Sequence, residues 1–423
     1  MTEQTTVDPR LQRLRTSIFF VSLPFGILMF ALPLVGREMG ASALEIGGLF
    51  SIFALMLVVI RPLVGHGLDR FGRRPFLIAG LLGYALANAG YALATDLRGL
   101  YVARLAQGLG SGLMWLAAYA IVADLAPAEH RGGRYGQIEE MASRGGIAGA
   151  FVGFTVLGFL GLGSIEAGIR GGWQILFAIY TVAALIGFII AWRGVPETLQ
   201  RSRAVLESTA ANVTEYAGPD RRWQLPGQLR ILMGIVLLTS SASALLAPIL
   251  MIYLRDHVTG DLGQLAWAYL PAAIAGAVLP SRFGRLSDRY GRRPPMAVAL
   301  VTGAAISLLI PGLRSLWPLA LLWVLEAAAF AAATPAEEAL VVEIAGADRR
   351  GTAFGYYTAA AGLGAVVGPL LGGWIYDTFT ATWAFRANAL MLGLGAALIL
   401  LLIREPRGAQ VATVGLQDGD PRE

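Results

Sequence analysis

Seven polar side chains stand inside runs that are otherwise apolar: Arg104, Gln107, Glu139, Glu140, Arg144, Glu326 and Glu338. A charge at membrane depth costs about 2.5–3.5 kcal/mol on insertion scales, so it faces a cavity or a partner. On the functional reading these groups contact a solute or a coupling ion, and an unpaired glutamate suits proton exchange. On the structural reading Arg104 pairs locally or snorkels to the membrane edge, and the acids meet arginines of nearby turns. Glu140 and Arg144 lie at i, i+4 and can pair on one helix face. Adjacent helical residues point about 100° apart, so at most one of Glu139-Glu140, and one of Glu337-Glu338, fully faces a cavity. No catalytic constellation emerges. His66, His130 and His257 sit in or near turns without metal-ligand spacing. Cysteine is absent, which excludes disulfides and thiolate chemistry. No phosphate-binding glycine loop is present, so the chain is not expected to hydrolyse ATP. The expectation is a non-enzyme without cofactor or metal.

The elements that hold these residues are membrane helices. The chain is 56% hydrophobic and 14% charged, where soluble domains carry about 25% charged residues. Apolar runs of the length that spans a bilayer fall near Ser17–Val35, Leu44–Val64, Phe76–Ala94, Leu100–Leu125, Tyr135–Leu160 and Trp173–Trp192. Six more fall near Ile231–Leu254, Leu262–Phe283, Pro295–Leu313, Leu316–Ile344, Ala353–Tyr376 and Trp383–Ile403. The fold class is thus all-α integral membrane, with twelve transmembrane helices. The expected organisation is a tail over 1–16, a six-helix bundle over 17–194, a linker over 195–230, a second bundle over 231–403 and a tail over 404–423. No removable signal peptide is expected. The net charge of +5 comes from arginine alone and does not imply nucleic acid. Most arginines fall in the tails, the linker and the turns after the second, fourth, eighth and tenth runs. That bias places both termini in the cytoplasm of a cell membrane.

One stretch, Gly65-His66-Gly67-Leu68-Asp69-Arg70-Phe71-Gly72-Arg73-Arg74-Pro75, links the second and third runs. It is expected to be a tight turn carrying a local charge network. It recurs as Gly284-Arg285-Leu286-Ser287-Asp288-Arg289-Tyr290-Gly291-Arg292-Arg293-Pro294, a shift of 219 positions. The same shift pairs Asp124 with Glu343, and Gly145, Gly149 and Gly153 with Gly364, Gly368 and Gly372. It sets Arg104 opposite Trp323 and Gln107 opposite Glu326. The chain is a duplicated membrane unit, an architecture of transporters. The glycine rows let helix backbones approach closely, and Pro369 can bend its helix. Trp115, Tyr119, Trp323, Tyr356 and Tyr357 are candidate lining for an apolar cavity.

The chain resembles the major facilitator superfamily over about Ser17–Arg404. The doubled Gly-x-x-x-Asp-Arg-x-Gly-Arg-Arg stretch carries the resemblance. So do Leu100–Gly110, similar to the family's helix-4 arginine motif, and Gly364-Ala-Val-Val-Gly368-Pro369-Leu-Leu-Gly372-Gly373. The resemblance implies two bundles related by a pseudo-two-fold axis, a central cavity and alternating access. It implies that the first stretch contacts the cytoplasmic start of the eleventh helix when that side is closed. Gly65, Asp69, Arg70, Gly72, Arg73, Arg74 and Asp124, with Gly284, Asp288, Arg289, Gly291, Arg292, Arg293 and Glu343, are thereby gating candidates. The fifth run departs from the antiporter pattern, with Ala150 where that branch carries proline. The expected function is proton-coupled efflux of an amphipathic or drug-like compound. Uptake of a small organic nutrient is the alternative, and a non-transporting sensor or scaffold is the alternative of another class. The expected partners are a small solute, a proton and the bilayer, with the chain functional as a monomer.

Overall fold

The computed structural model describes residues 8–126, 131–160, 165–199, 225–259, 262–279, 291–346 and 349–404. Gly284, Asp288, Arg289 and most of the expected linker and tails lie outside them. The described residues form α1 (Pro9–Ser22 and Phe25–Glu38), α2 (Ala43–Phe71), α3 (Arg74–Leu93), α4 (Leu97–Leu125), α5 (Arg131–Leu160) and α6 (Ile165–Gly194). The second half supplies α7 (Gly227–His257), α8 (Leu262–Val278), α9 (Arg293–Leu309), α10 (Leu316–Ala345), α11 (Arg350–Thr378) and α12 (Ala381–Leu402). Ten are long and apolar enough to cross a membrane. Among the described residues, α5 and α8 fall outside that measure: α8 has 17 residues, and α5 is rich in glycine and charge.

Local chemistry sets the helix ends. Asp8 accepts from Arg10 N at 2.8 Å and starts α1. Asp96 accepts from Gly99 N at 2.9 Å and starts α4. Ser42 and Glu45 form a reciprocal capping box at α2, which satisfies two N–H groups that a helix start leaves free. α1 begins earlier than expected, at Pro9, and breaks at Leu23-Pro24 before resuming. Proline at that point has no N–H to continue the helical ladder.

The expected tight turn is corrected. α2 continues through Phe71, so Gly65 to Arg70 are helical. Chain reversal is confined to Gly72-Arg73. Gly72 has φ +99°, a region that a side chain disfavours. Its repeat partner Gly291 has φ +87°. Pro75 and Pro294 then sit in the first turns of α3 and α9, where proline costs no hydrogen bond.

One apolar cluster lies wholly within the first half and another within the second, two more cross the boundary through Ile252 and through Phe30 and Leu34, and the glycine rows set how close the helices come. A methyl on Gly149 would overlap the Leu23 carbonyl, and one on Gly145 the Phe19 carbonyl, so α5 lies against α1. A methyl on Gly153 would come within 2.7 Å of Ile27. The second half repeats this with α11 against α7. There Gly368 and Gly372 abut the carbonyls of Ser241 and Leu245, and a methyl on Gly364 would lie 2.7 Å from Ser240 Cβ. The halves meet through α2 and α11, where Gly47 abuts the Pro369 carbonyl. Around Gly65, Gly351 and Gly355 a methyl would meet nothing within 4 Å, so nothing abuts α2 or α11 at these motif-end positions.

Gly149→Ala should therefore overpack the α1–α5 contact and cost about 1–3 kcal/mol. Gly136→Ala, in open space, should stay within about 0.5 kcal/mol of wild type. Thermal unfolding of the purified protein in detergent compares the two.

Candidate functional site

At the motif end the charges form one network around Arg73, whose side chain is 9% exposed. Its Nε lies 3.2 Å from Asp124 Oδ2, and its Nη2 lies 3.3 Å from Asp69 Oδ1. Nη1 donates to the Leu68 carbonyl at 2.5 Å. Thr198 Oγ1 donates to the same Asp124 oxygen at 2.6 Å. Asp124 is buried with its partner, at 8% exposure, whereas Asp69 is 80% exposed. The second half repeats the core of this arrangement, with Arg292 Nη2 3.0 Å from Glu343 Oε1. Arg74 donates to the Trp192 carbonyl at 2.7 Å, and Arg293 donates to the Leu400 carbonyl. Each arginine thus ties the start of α3 or α9 to the last helix of its own half. Arg70 packs over the Phe71 ring at 5.2 Å.

Glu197 completes the network and was not singled out from sequence. Its carboxylate accepts from the N–H groups of Arg73, Arg74, Thr198 and Leu199 at 2.8–3.0 Å. It thereby caps the N-terminus of α3, where an anion is favoured by the helix dipole. Partial burial pushes the Glu197 pKa up, but the four backbone N–H bonds outweigh that and leave it below the usual carboxylate value. The only signal in the sequence was an acid between Pro196 and Thr198, directly after an apolar run.

Between the halves lies a cavity of about 580 Å³. Phe50, Phe53 and Arg104 line it from the first half, and Glu337, Tyr357 and Pro369 from the second. Arg104 is 5% exposed. It donates to Gln107 Oε1 at 2.7 Å and to the Leu49 carbonyl at 3.1 Å. Its guanidinium lies over the rings of Phe50 and Phe53 at 5.1 and 4.6 Å. Tyr91 also donates to Gln107 Oε1, at 2.8 Å, and Trp173 holds Tyr91 through its carbonyl at 2.8 Å. The cation is thus compensated by neutral oxygens and aromatic faces. Gln107 serves as the anchor that aims it.

The sequence-selected acids separate. Glu326 lines a smaller cavity of about 320 Å³ inside the second half, with Trp323, Ser307 and Asn388. Asn388 accepts from Ser307 there at 2.6 Å. Of the Glu337-Glu338 pair, Glu337 lines the central cavity and Glu338 does not. Tyr119 donates to Glu139, and Arg144 pairs with Glu140 at 2.6 Å with both side chains about half exposed. None of Glu139, Glu140 and Arg144 lines either cavity. Of the aromatic candidates, Tyr357 and Trp323 line a cavity; Trp115, Tyr119 and Tyr356 do not.

The end opposite the motif is shut by contacts between halves. Asp377 of α11 accepts from the N–H groups of Ala43 and Leu44 at the start of α2, at 3.0 and 2.8 Å. Ser51 donates to the Val366 carbonyl at 2.6 Å. Arg255 lies 3.9 Å from Glu38, and the rings of Phe30 and Tyr269 meet edge to face at 4.8 Å.

Two helical halves around a central cavity that is shut at the end opposite the motif define a multi-pass membrane protein built to expose one cavity to one side at a time. The Major Facilitator Superfamily model matches residues 16–235 and 232–419, and the chain belongs to that family of secondary transporters, which move small solutes by alternating access. It is 28% identical over 379 residues to "Multidrug resistance protein MdtG" of Citrobacter koseri, covering 87% of each chain. It is 24% identical over 391 residues to "Multidrug resistance protein 2" of Bacillus subtilis, covering 91% of this chain and 94% of that one. Among solved structures, a bacterial homologue of the human lysosomal transporter Spinster, inward-facing and occupied, superposes with a TM-score of 0.73 at 17% identity, over 93% and 97% of the chains. The inward-open xylose transporter XylE from E. coli superposes with a TM-score of 0.70 at 17% identity, over 94% and 98%.

Asp124→Ala should leave Arg73 buried without its main partner and cost about 3 kcal/mol. Asp69→Asn, at an exposed site, should cost about 1 kcal/mol or less; melting temperatures in detergent compare them. A folded-state pKa held below the unfolded value stabilises above the unfolded pKa, and that gain is lost as pH falls through the folded pKa. Acidification through the carboxylate range should therefore lower wild-type stability relative to pH 7, and Glu197→Gln should flatten that slope.

Proposed function

We propose that this chain is a proton-coupled exporter of amphipathic, drug-like solutes, acting as a monomer in a cell membrane with both termini cytoplasmic. One observation carries the reading. The central cavity is walled by apolar residues from both halves, and among the described residues its charged lining consists of Arg104 and Glu337. A concave apolar pocket with few polar groups suits a drug-sized solute. The relatives' names, which speak of multidrug resistance, support export. The arginine-rich motif end is read as cytoplasmic by the positive-inside rule, so the cavity here opens inward.

In this reading Glu337 and Glu326 carry the coupling proton, each on a cavity wall within the second half. Arg104, aimed by Gln107, forms the fixed positive wall. Glu139, Glu140, Arg144 and Glu338 stand outside both cavities; Glu139 pairs with Tyr119, and Glu140 with Arg144. The gating assignment rests on the motif residues. Asp69, exposed in this state, is the group that would meet the start of α11 when the motif end closes. Arg73, Asp124, Arg292 and Glu343 hold the helix ends that carry it. Uptake is the second reading, favoured by Ala150 in place of the antiporter proline on α5.

The test uses proteoliposomes loaded with a pH-sensitive dye, with cationic, neutral and anionic amphiphiles added in turn. Proton movement triggered by one class is expected, lost in Glu337→Gln and Glu326→Gln. Asp69→Asn should cut the initial rate while leaving the yield of folded protein near wild type. Solute flux without proton movement in the wild type would overturn the coupling, and net accumulation of solute on the side of the motif would overturn the direction.

A further inference from the structure

We propose that Asp377 is a positioning residue of the transport cycle, a latch that holds the end opposite the motif shut by completing the N-terminal cap of α2. The first turn of a helix leaves N–H groups without intrahelical partners. At α2 the local sequence satisfies only part of that need. Ser42 Oγ takes the N–H of Glu45 at 3.2 Å, and Glu45 Oε2 takes the N–H of Ser42 at 2.8 Å. The N–H groups of Ala43 and Leu44 remain, and both are taken by the two oxygens of Asp377. The donors belong to the first half of the chain and the acceptor to the second, so the bonds exist only while this end is closed.

Packing makes the contact specific. Gly373 lies one turn before Asp377 on α11. A methyl there would come within 2.5 Å of the Ala43 carbonyl and the Leu44 Cα, so the two backbones are already as close as they can come. The carboxylate bonds are charge-assisted and lie along the α2 dipole. Opening this end removes both acceptors at once and leaves water to replace them.

The placement on α2 and α11 is reciprocal. The helices meet antiparallel, the start of α2 against the last turns of α11. Asp69 lies near the C-terminal end of α2 and Asp377 near that of α11. Each acid thus sits at the end of its own helix that faces the start of the other. The repeat does not supply this device, because the 219-position partner of Asp377 is Gly158.

The latch rests on alternating access and not on the identity of the solute, and its test needs no solute. The chain has no cysteine, so single cysteines report without background. Leu34→Cys, packed shut beside Met251 and Leu254 at the closed end, reports opening there. Leu57→Cys, on the cavity wall, reports access from the motif end. Each is placed in wild-type, Asp377→Asn, Asp377→Ala and Asp377→Glu full-length protein in nanodiscs and labelled with a small water-soluble maleimide. Loss of a partly exposed anionic cap is expected to shift the conformational ratio about twofold to fivefold. Labelling at position 34 should then rise, and labelling at 57 should fall, in both Asn and Ala variants. Asp377→Glu, which keeps the charge, should lie nearer wild type. Unchanged labelling at both positions in Asp377→Asn, the isosteric variant, would overturn the latch. A rise at both positions would overturn it too, since that is general loosening and not a change of state.

Discussion

Lipid gives helices no hydrophobic reward for leaving it, so a membrane bundle must be held by close packing and by polar bonds. In this chain the first device is glycine. Gly145, Gly149 and Gly153 bring α5 onto the α1 backbone, and Gly364, Gly368 and Gly372 bring α11 onto α7. Gly47 and Gly373 apply the same device across the boundary between halves. The close approach runs along the N-terminal half of α2, as far as Val58 against Gly362.

The second device is the handling of arginine. Arg73 is buried against a buried carboxylate, with a second acid at the surface. Arg74 and Arg293 are spent on main-chain carbonyls of α6 and α12. Arg104 has no carboxylate partner among the described residues. Its neighbours are an amide oxygen, a carbonyl and two aromatic rings, contacts that orient a cation without cancelling its charge. The motif cations stabilise the frame, whereas the one on α4 is left facing a space between two moving parts.

The architecture was largely legible in the sequence because it repeats. The 219-position shift located the motif twice, paired Asp124 with Glu343, and matched the glycine rows whose packing the structure displays. Boundaries were less legible. The break at Leu23-Pro24 follows from the missing N–H of Pro24 but leaves the hydropathy of the run unchanged, and Gly65–Phe71 continue α2 although Gly65 and Gly67 punctuate them. Glu197 and Asp377 escaped notice because each serves a helix far away in the chain, Arg73 in one case and Ala43 in the other. Glu337 was passed over for its neighbour Glu338; one position rotates a side chain by about 100°, and only the fold fixes which of the two faces inward.

A guanidinium keeps its proton at any pH a cell meets, while a carboxyl does not. With Arg104 and Glu337 as the charged walls of the central cavity, the space has two electrical settings. It is balanced when the glutamate is ionised and positive when it is protonated. Among its described walls it is never negative. Under the coupling proposed above, the proton that Glu337 carries is an electrostatic competitor of a cationic guest.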